Sequence, residues 1–206
     1  MPQMADDIVI RPYTPEDAEE WLRVHAIIMS TSHAWNYVLQ ERPSYDGYLS
    51  TQLVVTYGGR IIGMADVQYE RVPGEICFLR DSLGGYVLEF GCLPDFRGRG
   101  IGTRLIHSMQ ADAAAKGFHR LEFWSQDRGA QRFYRRYGMR EIGRHFRFRF
   151  YPPSELAQSF QQQGILVEYL YGMCSPAEWP RIQREYRVIT EKPLEPRLCI
   201  GFEIRF

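Results

Sequence analysis

Short apolar runs alternate along this chain with segments of helical periodicity. The runs predict strands at residues 8–12, 53–57, 60–69, 86–92, 120–126 and 139–150. Gly58 and Gly59 separate the second run from the third, which predicts a β-hairpin. In the last run, His145, Arg147 and Arg149 alternate with phenylalanines, so one face of that strand is polar and the other is apolar.

Three segments between these strands carry the signals of helices. The first helix is predicted to start at Thr14, an N-cap residue followed by proline, and to reach about residue 29. In the second helix, apolar residues recur every four positions from 101 to 113 and form one stripe. Asp127 can cap the third helix, and Gly138 ends it. Weaker patterns after residue 150 predict helices at 154–162 and 176–186 and strands at 165–173 and 198–205.

A glycine-rich loop follows the strand predicted at 86–92 and leads directly into a helix. Such a junction brings free backbone N–H groups and the positive end of the helix dipole to one point, which suits a phosphate or pyrophosphate. Gly100 and Gly102 would let a phosphate approach the backbone, and Arg97 and Arg99 would add charge-assisted hydrogen bonds. The spacing is that of neither the dinucleotide fingerprint nor the P-loop, and a purely structural turn is the alternative.

Two segments resemble the GNAT superfamily of acyl-CoA-dependent N-acetyltransferases. Residues 94–102 resemble its acyl-CoA pyrophosphate loop, Arg/Gln-x-x-Gly-x-Gly/Ala, and residues 121–139 are similar to its Leu-Glu-Val-x-x-x-Asn-x-x-Ala-x-x-x-Tyr-x-x-x-Gly-Phe segment. Met139 stands where the family has phenylalanine, and Asp127 where it usually has asparagine. Because an ionised carboxylate accepts hydrogen bonds but cannot donate them, we assign Asp127 only the role of helix cap.

The resemblance implies the GNAT fold, of the α/β (α+β) class. This fold has a central mixed, mostly antiparallel twisted sheet of about six or seven strands, flanked by about four helices. We expect a single domain, with a core at about 7–150 and a C-terminal extension at about 151–206 that contributes at least one strand. Either 165–173 or 198–205 could supply the last core strand, and we favour 165–173.

The resemblance also implies direct transfer of an acetyl group from acetyl-CoA to a primary amine. The amine arrives as an ammonium ion, so a base must remove a proton. The family pattern points to Glu122 as that base, with Glu89 as the competing candidate; the alternative for each is a surface or salt-bridged carboxylate. Tyr134 occupies the position of the acid that protonates the departing thiolate, and its alternative is a core tyrosine.

Binding of acetyl-CoA, as a co-substrate, is expected at the end of the strand and in the loop. A backbone N–H near Cys92 and Leu93 would polarise the thioester carbonyl. The residues expected to contact acetyl-CoA are Cys92, Leu93, Arg97, Gly98, Arg99, Gly100, Ile101, Gly102 and Thr103. No metal is expected, because the four cysteines lack metal-ligand spacing; we expect them to be reduced, buried thiols.

Composition narrows the classes of partner. The formal net charge is +0, which argues against a nucleic-acid partner, including one bound through the many arginines. The chain has no long apolar run and no signal-peptide pattern, so we expect no membrane partner and a cytoplasmic location. A homodimer is compatible with the sequence.

The acceptor is expected to be a small-molecule or peptide amine. The candidate residues for binding it are four aromatics, together with the polar face of the strand at 139–150. These aromatics are His33, Trp35, Tyr37 and Tyr45. Aromatic rings could pack against the apolar part of an amine, and the arginines could bind a carboxylate or phosphate of the same molecule. The alternative is that the aromatic residues belong to the core and that the arginines form a solvated face of the sheet. A non-catalytic acyl-CoA-binding regulatory module on the same fold is the alternative function.

Overall fold

The computed structural model describes residues 7–32 and 38–206 of the 206-residue chain. Eight strands lie in these ranges: β1 Ile8–Pro12, β2 Ser50–Tyr57, β3 Arg60–Tyr69, β4 Gly85–Cys92, β5 Arg120–Ser125, β6 Arg140–Phe150, β7 Leu170–Cys174 and β8 Arg197–Arg205. They form one sheet in the order β1-β2-β3-β4-β5-β8-β6-β7. All neighbouring strands are antiparallel except β4 and β5.

Five α-helices accompany the sheet in the described ranges. They are α1 Ala18–Ser30, α2 Ile101–Ala115, α3 Arg128–Tyr137, α4 Ser154–Gln162 and α5 Trp179–Glu185. The predicted helix start at Thr14 is a short 3-10 turn, Pro15–Asp17, that continues into α1. None of the described helices is long and apolar enough to cross a membrane. The α/β class and the mostly antiparallel sheet are confirmed, with eight strands where about six or seven were expected.

Helices cover both faces of the sheet, because side chains alternate between the faces along each strand. On one face, Leu53 and Val55 of β2 pack in a core with α2 and α3. On the other face, Val54 packs with Trp21 and Val24 of α1. The two faces therefore offer separate surfaces, one beside α1 and one beside α2 and α3.

The C-terminal strand β8 lies inside the sheet, between β5 and β6. The preference for residues 165–173 as the last core strand was therefore wrong. The strand observed near there, β7, starts only at Leu170 and pairs with β6 alone, at the sheet edge. Burial explains the order, since Cys199, Ile200 and Phe202 of β8 are buried on both faces, whereas Tyr171 and Met173 of β7 are exposed.

The parallel pair β4 and β5 is the point where the sheet opens. Their ladder joins Gly85–Cys92 to Arg120–Ser125 through only three residue pairs, from Gly85 with Leu121 to Val87 with Phe123. Beyond Val87 the ladder between the two strands ends, and residues from both border the same cavity. Unpaired backbone groups at such a split are available to a bound molecule.

Candidate active site

A cavity of about 1090 Å³ lies at the split between β4 and β5. The second half of β4 borders it on one side, and Phe123, Trp124 and Ser125 of β5 border it on the other. The start of α2 and much of α3 complete the walls. One cavity therefore joins the glycine-rich loop to the opened strands.

The glycine-rich loop adopts a backbone that other residues rarely adopt. Gly98 has φ +77° and Gly100 has φ +79°, both in the left-handed region. A Cβ atom added to either glycine would meet nothing within 4 Å, so the space beside this backbone is open. Gly100 directly precedes α2, whose first N–H groups are free of helix partners. The loop thus has the geometry of an anion site at a helix start.

Gly102 is needed for a different reason from the one the sequence suggested. A Cβ atom at this position would lie 3.0 Å from the ring of Phe133, which belongs to α3. The missing side chain therefore lets α2 and α3 pack closely beside the loop.

Seven of the nine residues expected to contact acetyl-CoA line the cavity: Cys92, Arg97, Gly98, Gly100, Ile101, Gly102 and Thr103. Leu93 does not, because its N–H donates to the carbonyl of Ile62 at 2.8 Å and its side chain packs in the core. Arg99 lies outside the lining too, with its guanidinium 5.3 Å from the ring of Phe96.

Arginines line the cavity both from the loop and from α3. Arg97 lines it and donates to the carbonyl of Cys92 at 3.4 Å and to Oγ1 of Thr31 at 3.2 Å. Three further arginines, which belong to no recognised motif, line the cavity from α3: Arg132, Arg135 and Arg136. Their signal was present in the sequence, since they share a helix that the pattern predicted.

Glu122 is fully buried and lies outside the cavity lining. Its oxygens accept hydrogen bonds from the N–H groups of Phe78 (2.8 Å) and Leu79 (3.2 Å). They also accept from the indole of Trp124 (2.7 Å) and the guanidinium of Arg120 (3.1 Å). This carboxylate has the surroundings of a structural anchor for the loop between β3 and β4.

Glu89 has the opposite surroundings. It lines the cavity, and 16% of its side chain is exposed. Its Oε2 lies 3.3 Å from Nε2 of His25, which is buried in α1 and stacks on Trp21. Nothing in the sequence around His25 distinguished it from the other residues of α1, because its partner lies on a distant strand. Of the two candidate bases, only Glu89 faces the cavity.

Tyr134 lines the cavity and is also part of the core. It is 5% exposed, and its ring packs against Phe90, Phe123 and Phe202 at centroid distances of 5.1–6.0 Å. Burial, followed by the charge of Asp127, raises the pKa of its hydroxyl. The group therefore stays protonated and is able to donate.

Asp127 caps α3, as expected. Its Oδ1 accepts from the N–H of Ala130 at 2.8 Å. The residue also lines the cavity, as Tyr134 does.

Of the residues expected to bind the acceptor, only Arg147 is found in the cavity lining among the residues that the structure describes. His33, Trp35 and Tyr37 lie outside the described residues. Tyr45 is buried away from the cavity, and its hydroxyl donates to Asp66 at 2.8 Å. Of the polar face of β6, Arg147 lines the cavity.

The other two polar residues of that face lie outside the lining. Arg149 lies 5.2 Å from the ring of Tyr169. His145 packs against Trp124 at a centroid distance of 5.1 Å. Among the residues that the structure describes, no group of three His, Cys, Asp or Glu side chains could hold a metal ion.

Comparison with known proteins gives one family. The model of the Acetyltransferase (GNAT) family matches residues 10–139. No curated protein sequence matches the chain. The matched residues include both the glycine-rich loop and the segment that carries Glu122 and Tyr134.

Solved structures similar to this chain have the same fold. A tandem GNAT protein from the clavulanic acid biosynthesis pathway matches with a TM-score of 0.61 and 13% identity, over 96% of this chain and 98% of that one. The ribosomal-protein-S18-alanine N-acetyltransferase of Escherichia coli matches at 0.51 and 14%, over 96% and 93%. A GNAT family acetyltransferase from Elizabethkingia anophelis, solved with acetyl-CoA bound, matches at 0.50 and 16%, over 98% and 99%.

Proposed function

The chain belongs to the GNAT acetyltransferase family, a family of acetyl-CoA-dependent acyltransferases, and we propose that it transfers the acetyl group of acetyl-CoA to a primary amine. The observation that carries this proposal is the cavity between β4 and β5, with the glycine-rich loop at one end and Glu89 in its wall. The Elizabethkingia anophelis relative with this fold was solved with acetyl-CoA bound.

We propose one orientation for acetyl-CoA in the cavity, with its pyrophosphate at the glycine-rich loop. The loop from Arg97 to Gly102 would bind its pyrophosphate, because free N–H groups, the positive end of the α2 dipole and Arg97 are found there. Bound acetyl-CoA supplies an activated acyl group as a thioester. The N–H of Leu93 points to β3, so the alternation of an antiparallel ladder directs the N–H of Cys92 into the split. We assign to the Cys92 N–H the polarisation of the thioester carbonyl.

We assign the role of base to Glu89. Its carboxylate faces the cavity, whereas Glu122 already accepts hydrogen bonds from four donors. Glu89 would take a proton from the ammonium group of the acceptor, which frees the nitrogen lone pair for attack on the carbonyl. His25 would orient the Glu89 carboxylate through its Nε2.

We assign the role of acid to Tyr134. Tyr134 lines the cavity together with the start of α2 and the end of β5, and we propose that the sulfur of the thioester passes beside its protonated hydroxyl. Donation from this hydroxyl would neutralise the thiolate as it departs. Burial raises the pKa of the Cys92 thiol, so this cysteine stays neutral, which favours direct transfer over a cysteine-bound intermediate.

The test measures release of free thiol from acetyl-CoA over a panel of primary amines, together with calorimetric titration of acetyl-CoA. We expect saturable binding and amine-dependent thiol release. Binding without release to any amine would favour the non-catalytic acyl-CoA-binding module. If acetyl-CoA does not bind at all, the assignment of the loop is wrong.

A further inference from the structure

Arg147 brings an unusual charge into the cavity. The guanidinium is partly buried, and its Nε donates to Nε2 of His145 at 3.2 Å. Within residues 7–32 and 38–206, no carboxylate lies at ion-pair distance from it. Other arginines of the same strand differ, since Arg140 pairs with Glu203 and Arg144 with Glu141.

Three titratable groups beside Arg147 are neutral at physiological pH, and its charged cross-strand partner, Arg197, is already paired with Glu195. Burial raises the pKa of Tyr86 to about 12 and that of Cys199 to about 11, and both groups sense the charge of Arg147. Burial, and then Arg147 itself, lower the pKa of His145, so this imidazole is uncharged and its Nε2 accepts. A partly buried cation without a carboxylate partner of its own is costly unless a ligand supplies the counter-charge.

Arg147 and Glu89 lie on the same face of the sheet. Glu89 contacts His25 of α1, and α1 covers the face opposite α2 and α3. Phe123 packs on Tyr134 of α3, so the next residue, Trp124, points to the α1 face, where it contacts His145. Arg147 lies two residues after His145 and shares its face. The glycine-rich loop and the arginines of α3 belong to the other side, so Arg147 is separate from the phosphate end.

We propose that the amine acceptor also carries a carboxylate, which Arg147 binds while Glu89 receives the amine. This inference rests on the proposed function, because it names the substrate class of that same site. With Nε bonded to His145, the two terminal nitrogens of Arg147 are left for a bidentate pair with a carboxylate. A phosphate dianion would bring a second negative charge that this single guanidinium does not balance.

Aromatic side chains form the wall beside Arg147. Trp124 lines the cavity, and Phe78, 57% exposed, packs on it at a centroid distance of 4.3 Å. Tyr86 lines the cavity from β4. These rings suit an apolar or aromatic body between the amine and the carboxylate, as in an amino acid or a short peptide.

The test compares matched acceptors. The common amino acids are each offered as the free acid and as the amide, and kcat/KM for thiol release is measured with wild type, R147Q, R147K and R149Q. Calorimetric titration of the same acids and amides into the CoA complex runs alongside. R149Q is the matched control, because Arg149 lies on the same strand and outside the cavity lining.

We expect wild type to favour the acids, and R147Q to lower the acid-to-amide ratio about 10–100-fold, the effect of losing a charge-assisted pair. R147K should lower it less, and R149Q should keep the wild-type ratio. Two outcomes overturn the carboxylate site: wild type turns over acids and amides equally, or R147Q keeps the wild-type preference for acids. Either outcome leaves the proposed acetyltransferase activity intact.

Calorimetry distinguishes the proposed carboxylate site from the proposed acetyltransferase activity. Binding of acids that R147Q abolishes, without thiol release, supports the carboxylate site and overturns the proposed function. Neither binding nor thiol release with any acid overturns the carboxylate site, and the proposed function is overturned with it only if the amides and the wider panel of primary amines also release no thiol.

Discussion

Two glutamates of similar local sequence have opposite surroundings in this protein. Both lie in strands that the sequence predicted, and both strands border the cavity. Glu122 faces the loop between β3 and β4, where its carboxylate pairs with Arg120 and accepts hydrogen bonds from backbone N–H groups. Glu89 faces the cavity instead. The sequence could place both candidates but could not separate them, because their partners, residues 78–79 and His25, are distant along the chain.

Tyr134 allows a direct test at the residue scale. We expect Tyr134→Phe to lower kcat about 100-fold or more, because no proton donor then meets the departing thiolate. The dissociation constant of acetyl-CoA should change little, since the ring and its packing remain. Steady-state kinetics and calorimetry measure the two quantities.

Tyr137→Phe is the matched control. Tyr137 belongs to the same helix, but it does not line the cavity, and its hydroxyl donates to Gln110. A normal kcat in Tyr134→Phe would show that Tyr134 is only a core residue.

Asp17 links stability to pH. Hydrogen bonds from Arg11 hold the pKa of this carboxyl at about 2, below its usual value. A lowered folded-state pKa stabilises the protein above the unfolded pKa of about 4, and this stabilisation is lost as the pH falls through about 2. We expect Asp17→Asn to lower the free energy of unfolding by about 1–2 kcal/mol at pH 7, since the partly exposed Arg11 weakens the pair.

Urea unfolding of both proteins from pH 7 to pH 2 measures this difference. The gap between wild type and Asp17→Asn should narrow as the pH falls below about 4. A gap that stays constant over this range would mean that the ion pair does not stabilise the fold.

At the scale of elements, the proposed acetyl-CoA site lies at the junction of loop and helix. Residues at φ near +80° other than glycine are strained by roughly 1–2 kcal/mol. In Gly100→Ala, that strain would displace the N–H groups at the start of α2, and the added methyl group would fill the open space where a phosphate approaches the backbone. We expect the acetyl-CoA dissociation constant to rise about 10–100-fold, as for the loss of charge-assisted hydrogen bonds.

Gly117→Ala is the control for backbone strain. Gly117 has φ +85° and open space at its Cβ position, but it follows the other end of α2. Both variants should lose similar stability in thermal unfolding, while only Gly100→Ala should lose affinity. Equal affinities in calorimetry would place the phosphates elsewhere.

The pattern of the sequence predicted most elements because their signals are local. The hairpin of β2 and β3, the stripe of α2 and the caps of α3 are each set by residues a few positions apart. The position of a strand within the sheet depends on contacts between residues far apart in the sequence. For this reason, residues 165–173 were wrongly favoured over the segment that forms β8. An almost continuous apolar run at 198–202 was the available signal of a doubly covered strand.

At the scale of the molecule, the sheet depends on its C-terminal strand. Ile200 of β8 is 2% exposed, and Met173 of the edge strand β7 is 58% exposed. We expect Ile200→Asp to lower the free energy of unfolding by about 3–5 kcal/mol or to prevent folding, because it buries an unpaired carboxylate between β5 and β6.

Met173→Asp is the same change at the sheet edge, where water solvates the carboxylate. Its free energy of unfolding should stay within about 0.5 kcal/mol of wild type in denaturant titrations. A larger loss in the free energy of unfolding from Met173→Asp than from Ile200→Asp would contradict the observed strand order.

The most direct test of the whole account is turnover of the pair Glu89→Gln and Glu122→Gln, measured as thiol release beside thermal unfolding. We predict that Glu89→Gln keeps the wild-type melting temperature and loses about 10²–10⁴-fold in kcat/KM, because the ammonium group keeps its proton. Glu122→Gln should melt at a lower temperature but retain turnover in its folded fraction. Full activity of Glu89→Gln beside a folded, inactive Glu122→Gln would contradict the account.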